Sequence, residues 1–181
     1  ALDDNKKPYA RRSNMRDTAI IALLGGTGIR VSELVGIDLN DIDWEHNCIR
    51  IIRKGGNEDI VYFGDELHRY LEDYINYERE PGDDKEKALF VASRKDKGRL
   101  TVRSVERIVS KYGTATIPSK HLSPHSLRRT FGTNYYEETS DLYAVADALG
   151  HKNIQVTKDH YADISERKKQ QVKEFSDKLL K

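Results

Sequence analysis

The chain has 181 residues, 37% of them hydrophobic, and its 31 basic and 30 acidic side chains leave a net charge of +1. This length suits one domain with a core of its own, and the sequence has no apolar run of about 18 residues that could span a membrane. A single cysteine, Cys48, excludes an internal disulfide and a cysteine-based metal site, which fits a cytoplasmic protein.

The first third of the chain predicts two helices. We expect residues 1–12 to form a polar linker or extension and residues 13–181 to form the domain. Apolar residues that recur at helical spacing predict a helix capped at Ser13 or Asn14, and the glycines of 25–28 should end it. A short helix should follow over Val31–Val35 and stop at Gly36.

The next segment predicts a small antiparallel sheet. Residues 38–47 have the composition of a loop. Two β-branched runs, 48–52 and 60–63, are separated by Lys54-Gly55-Gly56-Asn57, which indicates a hairpin. Residues 88–91 could add a third strand.

The remaining elements are helical. Apolar residues between Leu67 and Ile75 predict an amphipathic helix, and residues 83–87 should form a solvated connection. Further helices should begin at Thr101, at Ser123 with Pro124 in its first turn, at Ser140 or Asp141, and at Ser165. The expected fold is therefore α+β and mainly helical, with a sheet of about three strands.

Charge is unevenly distributed along the chain. Between Arg99 and Arg129 the sequence has seven basic residues and one acid, Glu106, whereas acidic residues outnumber basic ones in residues 65–86. Such polarity suits a surface that binds a phosphate backbone, although a charge run alone is more often a solvated surface. Six basic residues are candidate contacts to such a backbone. Four lie in this run, Arg99, Arg103, Arg107 and Arg129, and two lie outside it, Arg53 and Lys152.

Three short motifs occur in this order: Thr27-Gly28-Ile29-Arg30-Val31-Ser32-Glu33-Leu34, then Pro124-His125-Ser126-Leu127-Arg128-Arg129-Thr130, then Leu149-Gly150-His151 with Tyr161 ten residues later. In this order and context the set resembles the tyrosine recombinase (phage integrase) family. The resemblance covers nearly the whole chain from Arg12. It implies the catalytic domain of an enzyme that cuts and rejoins DNA through a covalent 3′-phosphotyrosine.

The resemblance also implies a role for each position. Arg30 and Arg128 would clamp the scissile phosphate, since guanidinium offers a planar fork of donors. Tyr161 would be the nucleophile, His125 its base, His151 a donor to a phosphate oxygen, and Lys54 the acid that protonates the leaving 5′ oxygen. Glu33 would support Arg30, and the two could equally form an ordinary i,i+3 ion pair.

Simpler interpretations exist for several of these residues. A lysine in a hairpin turn is usually just solvated, and Arg53 beside it leaves a one-residue uncertainty in register. A histidine near a helix C-terminus, like His151, is a favourable dipole partner without any catalytic role. The chain departs from many relatives at Arg129, where they have His, and at Ala162-Asp163, where they have Thr-His.

No cofactor or metal is expected. The histidines at 121, 125, 151 and 160 lack the spacing of a zinc site, and the glycines at 25–28 lack the Lys-Ser/Thr of a P-loop. The family implies a homotetramer on DNA and an upstream core-binding domain, which we expect this chain to lack. Alone, it should be a monomer that binds DNA weakly.

Two other functions fit the same residues. A type IB topoisomerase shares the chemistry and relaxes supercoils as a monomer. A DNA-binding regulator could have kept the fold and lost cleavage. The helix expected at 165–181 could dock on a neighbouring subunit or pack on its own domain.

Overall fold

The computed structural model describes residues 9–80, 87–92, 98–116, 122–151, 153–155, 157–158 and 161. The expected helix over 165–181, most of the connection at 83–87, and Lys152 lie outside the described residues. The chain divides into two compact units between Phe131 and Gly132, within one helix, and each unit is described by itself.

The described part of unit 1 is mainly helical with one small sheet, as the sequence predicts. Its elements in order are α1 (Tyr9–Thr27), α2 (Val31–Gly36), a 3₁₀ turn (Leu39–Asp41), β1 (Ile42–Asp43), β2 (Cys48–Ile52), β3 (Glu58–Tyr62), α3 (Asp65–Tyr77), α4 (Val102–Thr116) and the first half of α5 (Pro124–Thr139). The rest of α5 and α6 (Leu142–Ala148) belong to unit 2.

The sheet is antiparallel in the order β1-β2-β3, and its third strand is not the predicted one. The third strand is β1, which lies inside the segment 38–47 that was expected to be a loop, and its Ile42 pairs with Ile49 of β2. The segment 88–91 forms only isolated bridges, Asp38 to Ala88 and Val91 to Arg99. It stays outside the sheet because its backbone groups bond to residues 37–39 on one side and 98–100 on the other.

The hairpin agrees with the prediction. Cys48 pairs with Tyr62 and Ile52 with Glu58, so the five-residue strands close on the turn that holds Lys54. Buried Ile49, Ile51 and Val61 point to the core, which also takes side chains from α1, α3 and α4. Burial of this apolar face fixes the register, since a one-residue slip would turn it to solvent.

Side-chain caps set three helix starts where the sequence predicts them. The Ser104 amide donates to Thr101 Oγ1 at 3.2 Å, and the Ser126 amide donates to Ser123 Oγ at 3.2 Å. Asp141 accepts from the amides of Tyr143 and Ala144. The expected cap at Ser13 or Asn14 is wrong. Both residues lie inside α1, which spans Tyr9–Thr27, because Ala10, Arg11 and Arg12 before them are good helix formers.

Among the described residues, no helix combines the length and apolar character that crossing a bilayer requires.

Candidate active site

Arg30 and Glu33 form a compact, mutually fixed pair at the start of α2. The Arg30 amide donates to Glu33 Oε2 at 2.7 Å, and Arg30 Nη1 donates to Glu33 Oε1 at 2.8 Å. The Glu33 side chain is 2% exposed, whereas that of Arg30 is 35% exposed. The carboxylate therefore anchors Arg30 from below, and the i,i+3 ion pair and a phosphate-binding role are compatible.

Arg128 is held beside the loop that carries Arg30. Arg128 Nη1 donates to the carbonyl oxygen of Gly28 at 2.5 Å, and Arg128 is 7% exposed. Gly28 has a φ of +66°, a left-handed conformation that favours glycine, and it lies two residues before Arg30. The structure thus brings the two predicted clamp arginines to the same corner of unit 1.

Arg53 and Lys54 are adjacent in the hairpin but differ in exposure. Arg53 is 8% exposed and ion-paired, with Nη1 3.2 Å from Glu33 Oε2 and Nε 2.8 Å from Asp59 Oδ2. Lys54 lies in the turn and is exposed. This geometry favours Lys54 as the group that reaches a substrate, and it does not favour the predicted DNA contact by Arg53.

His125 opens onto a groove beside α4. The groove has a volume of 440 Å³, and its lining includes His125, Arg103, Arg107 and one acid, Glu106. Arg103 and Arg107 lie one helical turn apart, so they share a face of α4. Since His125 is exposed at the N-terminal end of α5, an anion in the groove would meet the positive end of the helix dipole and the positive charges of Arg103 and Arg107.

The other predicted DNA contacts differ from one another. Arg99 donates to the carbonyl oxygens of Val35 at 2.8 Å and Ile37 at 3.2 Å, and it also pairs with Asp38. Those bonds tie Arg99 to its own fold and do not favour a role at DNA. Arg129 is exposed on α5.

In unit 2, His151 follows the C-terminus of α6. Gly150 has a φ of +58°, and the His151 amide donates to the carbonyl oxygen of Ala146 at 2.8 Å. These features form a left-handed helix end that directs the chain away from α6. His151 Nδ1 lies 2.8 Å from Oγ1 of the fully buried Thr157, which orients the imidazole ring.

Tyr161 is buried in unit 2, with 2% of its surface exposed. Its ring lies 5.7 Å from that of Tyr136, centroid to centroid, at a tilt of 41°. The hydroxyl occupies a notch at Gly132, where an added β-carbon would lie 2.0 Å from the hydroxyl oxygen. In this structure Tyr161 is therefore packed as a core residue of its unit.

Sequence reasoning missed three contributors to these sites: the Gly28 carbonyl, Thr157 and Gly132. A glycine inside a helix lowers helix stability by about 1 kcal/mol relative to alanine. Gly132 in the middle of α5 therefore indicates close packing, and the sequence alone could have identified it. Nothing local in the sequence identifies a carbonyl as an arginine acceptor.

Within the described ranges, no group of three or more His, Cys, Asp or Glu side chains is arranged to hold a metal ion. His121 and His160, two of the four histidines weighed as metal ligands, lie outside those ranges.

Comparison with known proteins gives consistent matches. The sequence is 43% identical to tyrosine recombinase XerC of Corynebacterium glutamicum over 143 residues, which is 79% of this chain and 45% of that protein. It is 35% identical to XerC of Haemophilus influenzae, over 86% of this chain and 50% of that protein. The chain thus spans about half the length of the curated relatives it matches.

Solved structures agree. The crystal structure of XerA recombinase matches with a TM-score of 0.74 and 29% identity, over 84% of this chain and 55% of that one. XerH site-specific recombinase, bound to its difH substrate in a pre-cleavage complex, matches with a TM-score of 0.71 and 25% identity. The match covers 82% of this chain and 43% of that one. The sequence model of the phage integrase family matches residues 4–168. The chain belongs to the phage integrase family.

Proposed function

We propose that this chain carries the catalytic residues of a site-specific DNA recombinase that breaks and rejoins strands through a 3′-phosphotyrosine. The observation that carries the proposal is the family match over residues 4–168, within which Arg30, Lys54, His125, Arg128, His151 and Tyr161 all have competent side chains. Relatives named tyrosine recombinase, at 35–43% identity, support the same reaction class.

The scissile phosphate would be bound by Arg30 and Arg128. Negative charge builds on the non-bridging oxygens during attack at phosphorus, and a preorganised donor at such an oxygen is worth about 3–4 kcal/mol. The Glu33 carboxylate and the Gly28 carbonyl fix the two guanidiniums before substrate arrives, which supports this role. His151, oriented by Thr157, would donate to the same phosphate.

The chemical step exchanges one phosphodiester for another. Tyr161, which this structure buries, would first leave the core of its unit. Its oxygen then attacks phosphorus, its proton passes to His125, and the bond from phosphorus to the 5′ oxygen breaks. Lys54 protonates that leaving oxygen, a contribution typically of about 10²–10⁴-fold. The 5′ hydroxyl of a partner strand then attacks the phosphotyrosine and frees Tyr161, so the bond energy is conserved and no nucleotide is consumed.

Double-stranded DNA is the proposed substrate, and the groove with Arg103, Arg107 and His125 is the proposed contact to its backbone. The XerH site-specific recombinase, which this chain resembles in fold, is bound to its difH substrate, and this supports DNA as the class of partner. We further propose, from the family resemblance, a catalytic domain over 13–181, an upstream core-binding domain in the full-length protein, assembly as a homotetramer on DNA, and a cytoplasmic location.

Covalent trapping tests the proposal. The chain is incubated with a pooled library of nicked duplexes that lose a short 5′-ended fragment after cutting, so that religation fails. A band that survives a denaturing gel in the parent, and is missing in Tyr161→Phe, is the expected result. A parent that yields no adduct, both alone and when extended by its upstream residues, would contradict the proposal and favour a DNA-binding regulator.

A second assay separates the recombinase from a topoisomerase. Relaxation of supercoiled plasmid without any exchange between two duplexes would indicate type IB topoisomerase activity. Strand exchange between duplexes that carry the site recovered from the trapped pool is the expected outcome.

A further inference from the structure

Arg53 occupies an unusual place for a basic residue beside an active-site turn. Its side chain is only 8% exposed. Arg50, three residues earlier on β2, is its natural comparison: it makes ion pairs with Asp41 and Glu58, but its side chain is 50% exposed. The Arg53 side chain is therefore buried in the protein, whereas the Arg50 side chain lies on the surface.

The buried partner of Arg53 is the carboxylate that anchors Arg30. Glu33 Oε2 accepts from Arg53 Nη1 at 3.2 Å, and Glu33 Oε1 accepts from Arg30 Nη1 at 2.8 Å. One carboxylate, 2% exposed, thus lies between two guanidiniums from different elements, the start of α2 and the end of β2. Glu33 joins these elements through charge-assisted hydrogen bonds, which are the stronger and more directional kind.

Arg53 also closes the turn that presents Lys54. The Arg53 amide donates to the carbonyl oxygen of Asn57 at 2.8 Å, and the Arg53 carbonyl oxygen accepts from the Gly56 amide at 3.0 Å. On the other side of the hairpin, Asp59 on β3 accepts from Arg53 Nε at 2.8 Å. The turn contains two glycines with positive φ, at 55 and 56, so its own backbone restrains it weakly.

We propose that Arg53 is a positioning residue, which fastens the Lys54 turn to Glu33 and so holds Lys54 and Arg30 in one fixed frame. This inference rests on the proposed function for its catalytic meaning. A planar guanidinium suits the task, because its fork of donors reaches Glu33 and Asp59 at once, which a lysine ammonium does with far less directionality. Sequence reasoning placed Arg53 on DNA, and its burial assigns it this different role.

A leaving-group experiment isolates the effect on Lys54. In DNA with sulfur in place of the bridging 5′ oxygen, attack by Tyr161 breaks the phosphorus–sulfur bond, and a thiolate departs with the electron pair. A thiol ionises far more readily than an alcohol, so this substrate needs no general acid. Arg53→Gln should slow cleavage of ordinary DNA by about 10–100-fold and come within about 3-fold of the parent on the sulfur substrate.

Matched variants define the outcomes. Lys54→Ala should show the same rescue by sulfur, Arg30→Ala should be slow on both substrates, and Arg50→Gln should match the parent on both. Arg53→Lys should fall between parent and Arg53→Gln. A deficit in Arg53→Gln that is equal on both substrates, or no deficit at all, would overturn the proposal.

A measurement that needs no activity tests the same contact. Hydrogen exchange at the Arg53 and Gly56 amides should be at least about 10-fold faster in Arg53→Gln than in the parent, and unchanged in Arg50→Gln. If Arg53→Gln does not fold, Asp59→Ala removes one anchor from the more exposed side and should loosen the same two amides. Unchanged exchange would refute the positioning role, whereas a parent without covalent adduct would refute only the proposed function.

Discussion

The Tyr161 hydroxyl fits against α5 only because residue 132 is glycine. A β-carbon there would lie 2.0 Å from the hydroxyl oxygen and 3.0 Å from Cδ1 of Leu149. Gly132→Ala should therefore lower the free energy of unfolding by about 1–2 kcal/mol, although alanine is the better helix former. Chemical denaturation measures this difference.

Two comparisons sharpen that test. Gly25→Ala in α1 has nothing within 4 Å of the new β-carbon, so it should stabilise the protein, by up to about 1 kcal/mol. Adding Tyr161→Phe to Gly132→Ala removes the clashing oxygen, and the double variant should recover about 1 kcal/mol relative to additivity. Equal effects of the two glycine substitutions would show that the notch is not tightly packed.

Glu33 is expected to be a stability hot spot as well as a support for Arg30. Glu33→Gln leaves Arg53, 8% exposed, without its buried countercharge. Loss of one partner of a buried ion pair typically costs about 3–5 kcal/mol, and we expect about 3 here because Arg30 reaches solvent. Urea unfolding should show this loss, whereas Glu66→Gln, which breaks an exposed i,i+3 pair with Arg69, should change stability by less than about 0.5 kcal/mol.

The local chemistry of this chain is readable from its sequence where a residue acts on its neighbours. Thr101, Ser123 and Asp141 cap helices because their side-chain oxygens need only the amides two or three residues ahead. Likewise, alternating burial and a glycine turn identify the hairpin.

What the sequence does not reveal depends on partners far along the chain. β1 has two residues, too few for any periodicity, and exists because β2 offers it a free edge. The sequence makes Arg53 a candidate DNA contact, and only the structure reveals its ion pair with Glu33, twenty residues away. The Gly28 carbonyl meets Arg128 at a separation of one hundred residues. Assignment of the six candidate catalytic positions therefore came from motif order.

The α4 groove should contribute salt-dependent affinity for DNA. Arg103→Ala or Arg107→Ala removes one positive charge from the groove lining, so each should weaken binding and lower the magnitude of the log Kd against log salt slope by about 1. Fluorescence anisotropy at several salt concentrations measures the slope. Arg69→Ala on α3 is the control and should leave it unchanged, and an unchanged slope in both groove variants would place the backbone contact elsewhere.

Glu78 should give stability a pH dependence in the acid range. Burial raises its pKa above the ordinary 4.5, although the carboxylate accepts from the Arg16 amide at 2.9 Å. A raised pKa in the folded state favours folding at low pH, and this contribution is lost as pH rises through the folded-state pKa. The stability of Glu78→Gln relative to the parent should therefore increase from pH 4 to pH 7, and a difference independent of pH would contradict this sign.

The central claim is that Tyr161 becomes covalently joined to a 3′ phosphate. The most direct measurement is mass spectrometry of peptides from the trapped adduct, together with separate labels on the 5′ and 3′ ends of the cleaved strand. We expect one modified peptide containing Tyr161, joined to the phosphate at the 3′ end of one fragment, and a free 5′ hydroxyl on the other fragment. An adduct on any other residue, or a 5′-phosphotyrosine, would contradict it.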